Sequence, residues 1–102
     1  MRKEYIYYIN GDFVKSSQSQ ISFQDGGFQR GNAIFETIRF KKNHLFDIDN
    51  HIERLQKGIE YLEFKINKTD DELIRLILET INKNNLEYGA INLMITSDFD
   101  MN

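Results

Sequence analysis

The spacing of hydrophobic positions changes twice along the chain, near residue 48 and again near residue 86. Before and after these points the apolar residues alternate or form short runs, which is typical of strands. Between them the apolar residues recur every three or four positions, which is typical of helices that bury one side. The order strands, two helices, strand predicts an α+β domain with an antiparallel or mixed sheet and the two helices packed on one face.

Two strand pairs are predicted in the first half of the chain. Residues 5–9 are rich in β-forming side chains, and Asn10-Gly11 is a strong signal for a tight turn into residues 12–15. A second pair is predicted over about residues 33–40 and 44–47, with a polar turn between them.

The segment between these pairs is polar over residues 16–20 and carries three glycines within residues 26–31. Glycine allows positive φ and close backbone approach, so the segment is predicted to be a shaped turn. It lacks the glycine patterns of phosphate-binding loops and precedes a strand rather than a helix. We therefore expect it to form the rim of a pocket.

Two amphipathic helices are predicted in the second half. The first is predicted to begin with Asp49 as its N-cap, and its apolar stripe consists of Ile52, Leu55, Ile59 and Leu62. The second begins at Thr69, because Glu72 three residues later completes a capping box. It is predicted to end near residues 83–85, before a last strand over residues 90–96.

Composition and charge narrow the class of protein. The chain has 102 residues, which suits one domain, and its 40% hydrophobic content is sufficient for a core. A net charge of −3 with no clustered basic residues argues against a nucleic-acid partner. The chain has no cysteine, which excludes disulfides and is compatible with a cytoplasmic protein. No apolar run is long enough to span a membrane, and two histidines alone do not predict a metal site.

The strand over residues 33–40 presents two different faces, because side chains alternate across a sheet. One face carries Ala33, Phe35, Thr37 and Arg39, and the other carries Ile34, Glu36, Ile38 and Phe40. The second face is mostly apolar and is expected to meet the helices, so Glu36 is predicted to be partly buried and to need a partner. The first face is either an ordinary surface or one wall of a pocket for an anionic ligand.

Arg54 and Gly58 lie four residues apart and therefore on one surface of the first helix. A guanidinium offers a planar fork that suits phosphate, and a neighbouring glycine could leave room for a bulky group. The alternative is a solvent-exposed arginine beside a tolerated glycine, and periodicity alone favours that alternative.

Three segments taken in order carry a family resemblance: "YINGDFV", "DGGFQRGNAIFETIRF" and "HLFDIDNHIERLQKGIEYLEF". Together they resemble the small N-terminal domain of the fold-type IV pyridoxal-phosphate enzymes. These are the branched-chain and D-amino-acid aminotransferases and aminodeoxychorismate lyase. The family pattern has an aromatic residue followed by Glu on a strand and then His-x-x-Arg-Leu on a helix. The resemblance covers about residues 8–62, over half of the chain.

The resemblance implies roles for several residues. Arg54 matches the arginine that contacts the phosphate of pyridoxal 5'-phosphate, and His51 matches a histidine with a supporting role. Gly58 is then interpreted as clearance beside the arginine. On the substrate side, Phe35 matches a pocket-lining aromatic and Arg39 matches the strand arginine of the branched-chain enzymes.

Thr37 lies between Phe35 and Arg39 on the same predicted face, so it joins the implied substrate-binding set. Other positions depart from the family. Residues 31–33 are Gly-Asn-Ala where Gly-Asp-Gly is usual, and Arg30 replaces an aromatic residue. Phe35 stands where the D-amino-acid enzymes tend to have tyrosine, and Ser97 stands where they have an arginine. D-amino-acid specificity is therefore not expected.

No lysine of this chain matches the family's Schiff-base lysine, which the resemblance implies lies beyond residue 102 in a larger C-terminal cofactor domain. We therefore expect residues 1–102 to be one domain of a longer protein and to be inactive alone. The whole protein is expected to be a cytoplasmic homodimer that transaminates branched-chain-like amino acids to 2-oxo acids. The alternatives are an aminodeoxychorismate lyase and a free-standing, non-catalytic binding module.

Overall fold

The computed structural model describes residues 3–97 and shows an α+β domain, as predicted. Its elements, in chain order, are β1 (Ile6–Ile9), β2 (Asp12–Lys15), a 3₁₀ turn (Ser16–Gln18), α1 (Gly26–Arg30), β3 (Ala33–Lys41), β4 (His44–Leu45), α2 (Ile48–Leu62), α3 (Asp70–Lys83) and β5 (Tyr88–Thr96). The predicted hairpin, the two long helices and the last strand are all present. None of the helices within the described residues is long and apolar enough to cross a membrane.

The strands form two separate antiparallel sheets. β1 pairs with β2, while the larger sheet has the order β4-β3-β5. β5 pairs along the whole of β3, whereas β4 pairs only with Phe40 and Lys41. The earlier part of β3 therefore has a strand neighbour on one side only within residues 3–97.

Both tight turns adopt the backbone conformation that two-residue hairpins require. Asn10 and Gly11 have φ of 50° and 98°, and Lys42 and Asn43 have φ of 49° and 66°. Positive φ at both central positions matches the right-handed twist of the flanking strands. The turn at Asn10-Gly11 confirms the predicted hairpin.

The two long helices pack on one face of the larger sheet and divide the core into two clusters. One cluster consists of Ile38, Phe40, Leu45, Ile77 and Ile81. The other consists of Ile52, Leu55, Ile59, Phe64 and Leu73. The predicted stripe on α2 is confirmed at three of its positions, while Leu62 is only half-buried.

The side chain of Asn84 connects the small sheet to the end of α3 by hydrogen bonds. Asn84, the residue after α3, accepts a hydrogen bond from the backbone N–H of Ile6 at 2.8 Å. Its amide nitrogen donates to the carbonyl oxygen of Ile6 at 2.9 Å. The amide therefore pairs with β1 in the way that a neighbouring strand would.

The start of α2 differs from the prediction. The helix begins at Ile48, and Asp47 is its N-cap with φ of 59°. The Asp47 side chain accepts no hydrogen bond from a backbone N–H of the helix, although it accepts one of 2.7 Å from the side-chain amide of Asn50. Asp49 lies in the first turn, where its charge suits the helix dipole, so its prediction as the N-cap was wrong. The capping box of α3 is confirmed, since Thr69 and Glu72 each accept a hydrogen bond from the other's backbone N–H.

The glycine-rich segment is a short helix rather than a turn. Asp25 accepts hydrogen bonds from the N–H groups of Gly27 and Phe28, and this cap begins α1. Gly31 ends the helix with φ of 70°. A helix of five residues is too short to show a period in the sequence, which is why the pattern did not indicate it.

Candidate functional site

β3 separates a buried side from an open side. Ile38 on the helix-facing side is fully buried, whereas Phe35 on the other side is 65% exposed. Phe35, Thr37 and Arg39 all lie on the open side, so the structure brings together the three residues assigned to the substrate. Their role in substrate binding stays a prediction.

The open side also includes residues of β5 that sequence reasoning missed. Phe35 lies opposite Met94, and Thr37 lies opposite Asn92, to which its hydroxyl donates a hydrogen bond of 2.8 Å. Alternation within β5 could have placed Asn92 and Met94 on one face. Only the pairing register shows that this face is the one that carries Thr37.

Glu36 lies on the helix-facing side, and both of its carboxylate oxygens are occupied by donors from α2. Its Oε1 lies 2.8 Å from Nη2 of Arg54 and 2.6 Å from Nδ1 of His51. Its Oε2 accepts a longer hydrogen bond of 3.4 Å from Nε of Arg54. The predicted partner of the half-buried carboxylate is thus the Arg54–His51 pair, three residues apart on one helix face.

The three side chains differ sharply in exposure. Glu36 and His51 are 12% and 14% exposed, while Arg54 is 61% exposed. An arginine carries five N–H donors, and Arg54 turns its Nε and one Nη2 hydrogen toward the carboxylate. Within residues 3–97 its Nη1 makes no hydrogen bond, so the outer edge of the guanidinium faces away from Glu36.

The contacts of His51 indicate its tautomer. Its Nδ1 is 2.6 Å from the Glu36 carboxylate and 3.1 Å from Nη2 of Arg54. One ring nitrogen cannot donate to the first and accept from the second at once. The shorter contact with a charged acceptor favours a proton on Nδ1 that is donated to Glu36.

The charges of this cluster reinforce each other. The hydrogen bond from Arg54 lowers the pKa of Glu36, burial acts in the opposite direction, and His51 lowers it further. The same hydrogen bond raises the pKa of Arg54 above its ordinary value. Both partners are therefore ionised at neutral pH.

Gly58 lies where α2 packs against β3. A Cβ atom at this position would lie 3.1 Å from two carbon atoms of Ile34 on β3. The missing side chain thus lets α2 approach the strand closely, and Ile34 fills the space. The interpretation of Gly58 as clearance for a ligand beside Arg54 stays a prediction.

The predicted site residues form two groups on opposite sides of β3. Arg54 and His51 meet Glu36 on the helix-facing side, while Phe35, Thr37 and Arg39 lie on the open side. The part of β3 between them is the part that β4 does not pair with. A ligand that touched both groups would lie across this edge of the strand.

The glycine-rich segment reaches the end of β5. The N–H of Gly26 donates to the carbonyl oxygen of Ser97 at 3.1 Å, and the hydroxyl of Thr96 donates to Asp25 at 2.7 Å. Cβ atoms at Gly26 and Gly27 would overlap with Ser97 and Thr96. The glycines therefore allow α1 to lie directly on the strand, and a role as a pocket rim stays a prediction.

Comparison with known proteins identifies relatives of the chain. The profile of the family described as amino-transferase class IV matches residues 33–100. A D-alanine aminotransferase of Staphylococcus epidermidis is 34% identical over 89 residues, which cover 87% of this chain and 32% of that protein. A putative branched-chain-amino-acid aminotransferase of Methanocaldococcus jannaschii is 36% identical over 89 residues, which cover 87% of this chain and 31% of that protein.

Solved structures share the same fold. A branched-chain amino acid aminotransferase from T.th., solved with pyridoxamine 5'-phosphate, superposes with a TM-score of 0.86 at 21% identity. The superposition covers 99% of this chain and 35% of that one. The chain therefore spans about a third of the length of the relatives that it matches.

Proposed function

The chain belongs to the class IV aminotransferase family, and from this premise we propose that it is the small domain of an aminotransferase that uses pyridoxal 5'-phosphate. The observation that carries the proposal is the outward edge of the Arg54 guanidinium, which Glu36 leaves available for an anion. Because the chain spans about a third of its relatives, the activity is proposed for the whole protein and not for these residues alone.

Arg54 fits the phosphate of the cofactor on chemical grounds. Its guanidinium is largely exposed, and two hydrogens on Nη1 and one on Nη2 point away from the Glu36 carboxylate. A planar pair of N–H groups binds phosphate through two parallel hydrogen bonds. When bound, the cofactor supplies the electron sink that amino-group transfer needs.

We propose that the open side of β3 receives the amino acid and the 2-oxo acid. Phe35 and Met94 form an exposed apolar pair there, which suits an aliphatic side chain. Arg39 lies farther along the same face and offers a guanidinium for a carboxylate. These residues favour a branched-chain-like substrate.

The relatives named above include both a D-alanine enzyme and a putative branched-chain enzyme, so the stereochemistry has to be measured. The experiment uses the gene product at its full encoded length, purified with pyridoxal 5'-phosphate. Its transamination of L-leucine, L-valine and D-alanine with 2-oxoglutarate is compared. We expect the L-amino acids to be the better substrates.

The same full-length protein is used to test whether Arg54 binds the cofactor phosphate. Arg54→Ala is expected to weaken binding of pyridoxal 5'-phosphate about tenfold to a hundredfold, because a charge-assisted contact to phosphate is lost. Arg75→Ala is the matched control, since Arg75 is an exposed arginine on α3. Equal affinities for the two variants would contradict the assignment. A protein that binds no pyridoxal 5'-phosphate, or that acts only on aminodeoxychorismate, would contradict the proposed function.

A further inference from the structure

We propose that Glu36, held by His51, is a positioning residue that orients Arg54 toward the cofactor phosphate. The inference deepens the proposed function and rests on it, because it concerns how the phosphate-binding arginine is prepared. Glu36 itself is not expected to touch the cofactor. It binds the inner edge of the guanidinium, and the outer edge is the one offered to phosphate.

Glu36 and Arg54 differ in how far the fold buries them. Glu36 projects from the middle of β3 and is 12% exposed, so its carboxylate is fixed by the sheet and the packed helix. Arg54 is 61% exposed and has a long side chain with several rotatable bonds. An arginine free in solvent would lose that freedom when it binds a ligand, which weakens binding. The ion pair orders it beforehand.

His51 holds the plane of the Glu36 carboxylate. Rotation about the last bond of a glutamate side chain has only broad preferences, so Glu36 alone would not define a direction for Arg54. His51 lies one turn before Arg54 on α2 and is nearly buried. Its Nδ1 reaches the same Oε1 that accepts from Nη2 of Arg54. This second donor fixes the carboxylate and therefore the guanidinium plane.

A simpler alternative makes the opposite prediction. If Glu36 were only a counter-ion, its negative charge would compete with phosphate, and removing the charge would tighten phosphate binding. If Glu36 positions Arg54, removing the charge loosens the guanidinium and weakens phosphate binding. The sign of the change in affinity thus separates the two roles.

The test compares two ligands that differ only in the phosphate. Dissociation constants of pyridoxal 5'-phosphate and of pyridoxal are measured by absorbance titration for the full-length wild type, Glu36→Gln and Arg54→Ala. We expect Glu36→Gln to weaken binding of the phosphorylated ligand about three- to tenfold, the equivalent of one hydrogen bond. Binding of pyridoxal should stay within about twofold of the wild type, the error of such comparisons.

The double variant Glu36→Gln/Arg54→Ala shows whether Glu36 acts through the arginine. Its affinity for pyridoxal 5'-phosphate should equal that of Arg54→Ala alone, because a residue without its partner has nothing to position. Glu53→Gln is the matched control, since Glu53 is an exposed glutamate on α2 that pairs only with Lys57 of the same helix within residues 3–97. It should leave both affinities unchanged.

Three further variants keep the inference testable if Glu36→Gln folds poorly. Glu36→Asp retains the charge but withdraws the carboxylate by one methylene group. Positioning predicts weaker phosphate binding for it, whereas a counter-ion role predicts no change. At His51, His51→Asn retains a donor near the position of Nδ1 and should keep the wild-type affinity, while His51→Leu should lose affinity as Glu36→Gln does.

Several results would overturn the inference. They are tighter or unchanged binding of pyridoxal 5'-phosphate by Glu36→Gln, an equal loss for pyridoxal, or additive losses in the double variant. Failure of the proposed function looks different, because the wild type itself would then not prefer the phosphorylated ligand. Arg54→Ala would in that case have no effect either.

Discussion

The hydroxyl of Thr37 donates a hydrogen bond of 2.8 Å to the side chain of Asn92, although 55 residues separate the two along the chain. The pair lies on the open side of the sheet, between the apolar pair Phe35–Met94 and the end of the face that carries Arg39. The open side therefore has an apolar end, a polar centre and a cationic end. This order is the one that the proposed substrate, an aliphatic amino acid, would require for its side chain and its carboxylate.

Thr37→Val should weaken substrate binding and leave the fold intact. Valine keeps the shape and strand preference of threonine but removes the hydroxyl, which leaves Asn92 free to rotate. We expect the KM for the amino acid to rise about three- to tenfold, the equivalent of one hydrogen bond. The affinity for pyridoxal 5'-phosphate should not change. Steady-state kinetics at saturating 2-oxo acid and a cofactor titration measure the two quantities.

Tyr88→Phe provides the control for this prediction. Tyr88 is exposed on the same side of the sheet, opposite Lys41 at the far end of β3, and the substitution also removes one hydroxyl. Its KM should equal that of the wild type. A similar rise in KM for both variants, or none for Thr37→Val, would argue against the proposed substrate surface.

Acid should remove the stabilisation that the Glu36 cluster provides. The hydrogen bond from Arg54 lowers the pKa of Glu36 below its ordinary 4.5, so folding favours the ionised form. That contribution is present above pH 4.5 and is lost as the pH falls through the lowered folded-state pKa. The donors facing Glu36 are Arg54 and His51.

The comparison with Glu36→Gln isolates this effect. At neutral pH the wild type should have the larger free energy of unfolding, and the difference should shrink as the pH falls below 4.5. Urea denaturation at a series of pH values measures it. A difference that stayed constant down to strongly acidic pH would show that the charge of Glu36 does not contribute. Glu72→Gln serves as a reference for the pH dependence of the free energy of unfolding when another stabilising carboxylate is removed. The capping box lowers the pKa of Glu72 at a different place in the fold.

Gly58→Ala should combine a favourable helix preference with an unfavourable close contact to Ile34 on β3. Alanine in a helix interior is favoured over glycine by about 1 kcal/mol. The new Cβ would lie 3.1 Å from Ile34, however, which is closer than side chains normally pack. We therefore expect the substitution to stabilise the protein by less than this helix preference. Chemical denaturation provides the measurement.

Removing the Ile34 side chain should restore the stabilisation that alanine gives in a helix. In an Ile34→Ala background, Gly58→Ala should stabilise the protein by about 1 kcal/mol. In an Ile91→Ala background it should behave as in the wild type, because Ile91 packs against the other core cluster. The same effect in all three backgrounds would mean that Ile34 is not what the glycine accommodates.

Asn84→Ala should detach the β1–β2 hairpin from α3. The substitution removes both hydrogen bonds to Ile6 and a third, of 2.7 Å, to the carbonyl oxygen of Thr80. Loss of these bonds should destabilise the protein by about 1–3 kcal/mol, since the backbone groups of Ile6 lose their partner. Hydrogen exchange at the amide of Ile6 should accelerate.

Asn82→Ala is the matched control for the hairpin. Asn82 is an exposed asparagine at the same end of α3. Surface substitutions of this kind usually change stability by less than about 0.5 kcal/mol. Equal protection of the Ile6 amide in Asn84→Ala and in Asn82→Ala would show that other contacts hold the hairpin.

Local sequence patterns were sufficient to predict most of the secondary structure. The turn at Asn10-Gly11, the apolar stripe of α2 and the capping box at Thr69 each act within a few residues, so neighbouring side chains reveal them. The two wrong predictions, at α1 and at the start of α2, concern features that local side-chain patterns do not reveal. α1 is a helix of only five residues, held by Asp25 and by contact with β5, and α2 begins through the backbone conformation of Asp47 rather than through a side-chain cap.

The candidate site was predicted in part, for a similar reason. Alternation along β3 predicted both the open face and the half-buried Glu36, because the side-chain period of a strand is local. The resemblance to a family implied a role for Arg54. Neither could show that Glu36 and Arg54 meet, nor that Asn92 lies beside Thr37, because both contacts depend on how distant segments pack.

The sequence by itself determined most of the strands, the two long helices and the faces that they bury, since hydrophobic spacing and capping act over a few residues. The tertiary structure decided what each candidate functional side chain touches. Packing of α2 against β3 gives Glu36 its two donors and leaves the outer edge of Arg54 exposed, while Gly58 accommodates Ile34. These relationships depend on the register and distance between elements, which no local pattern in the chain encodes.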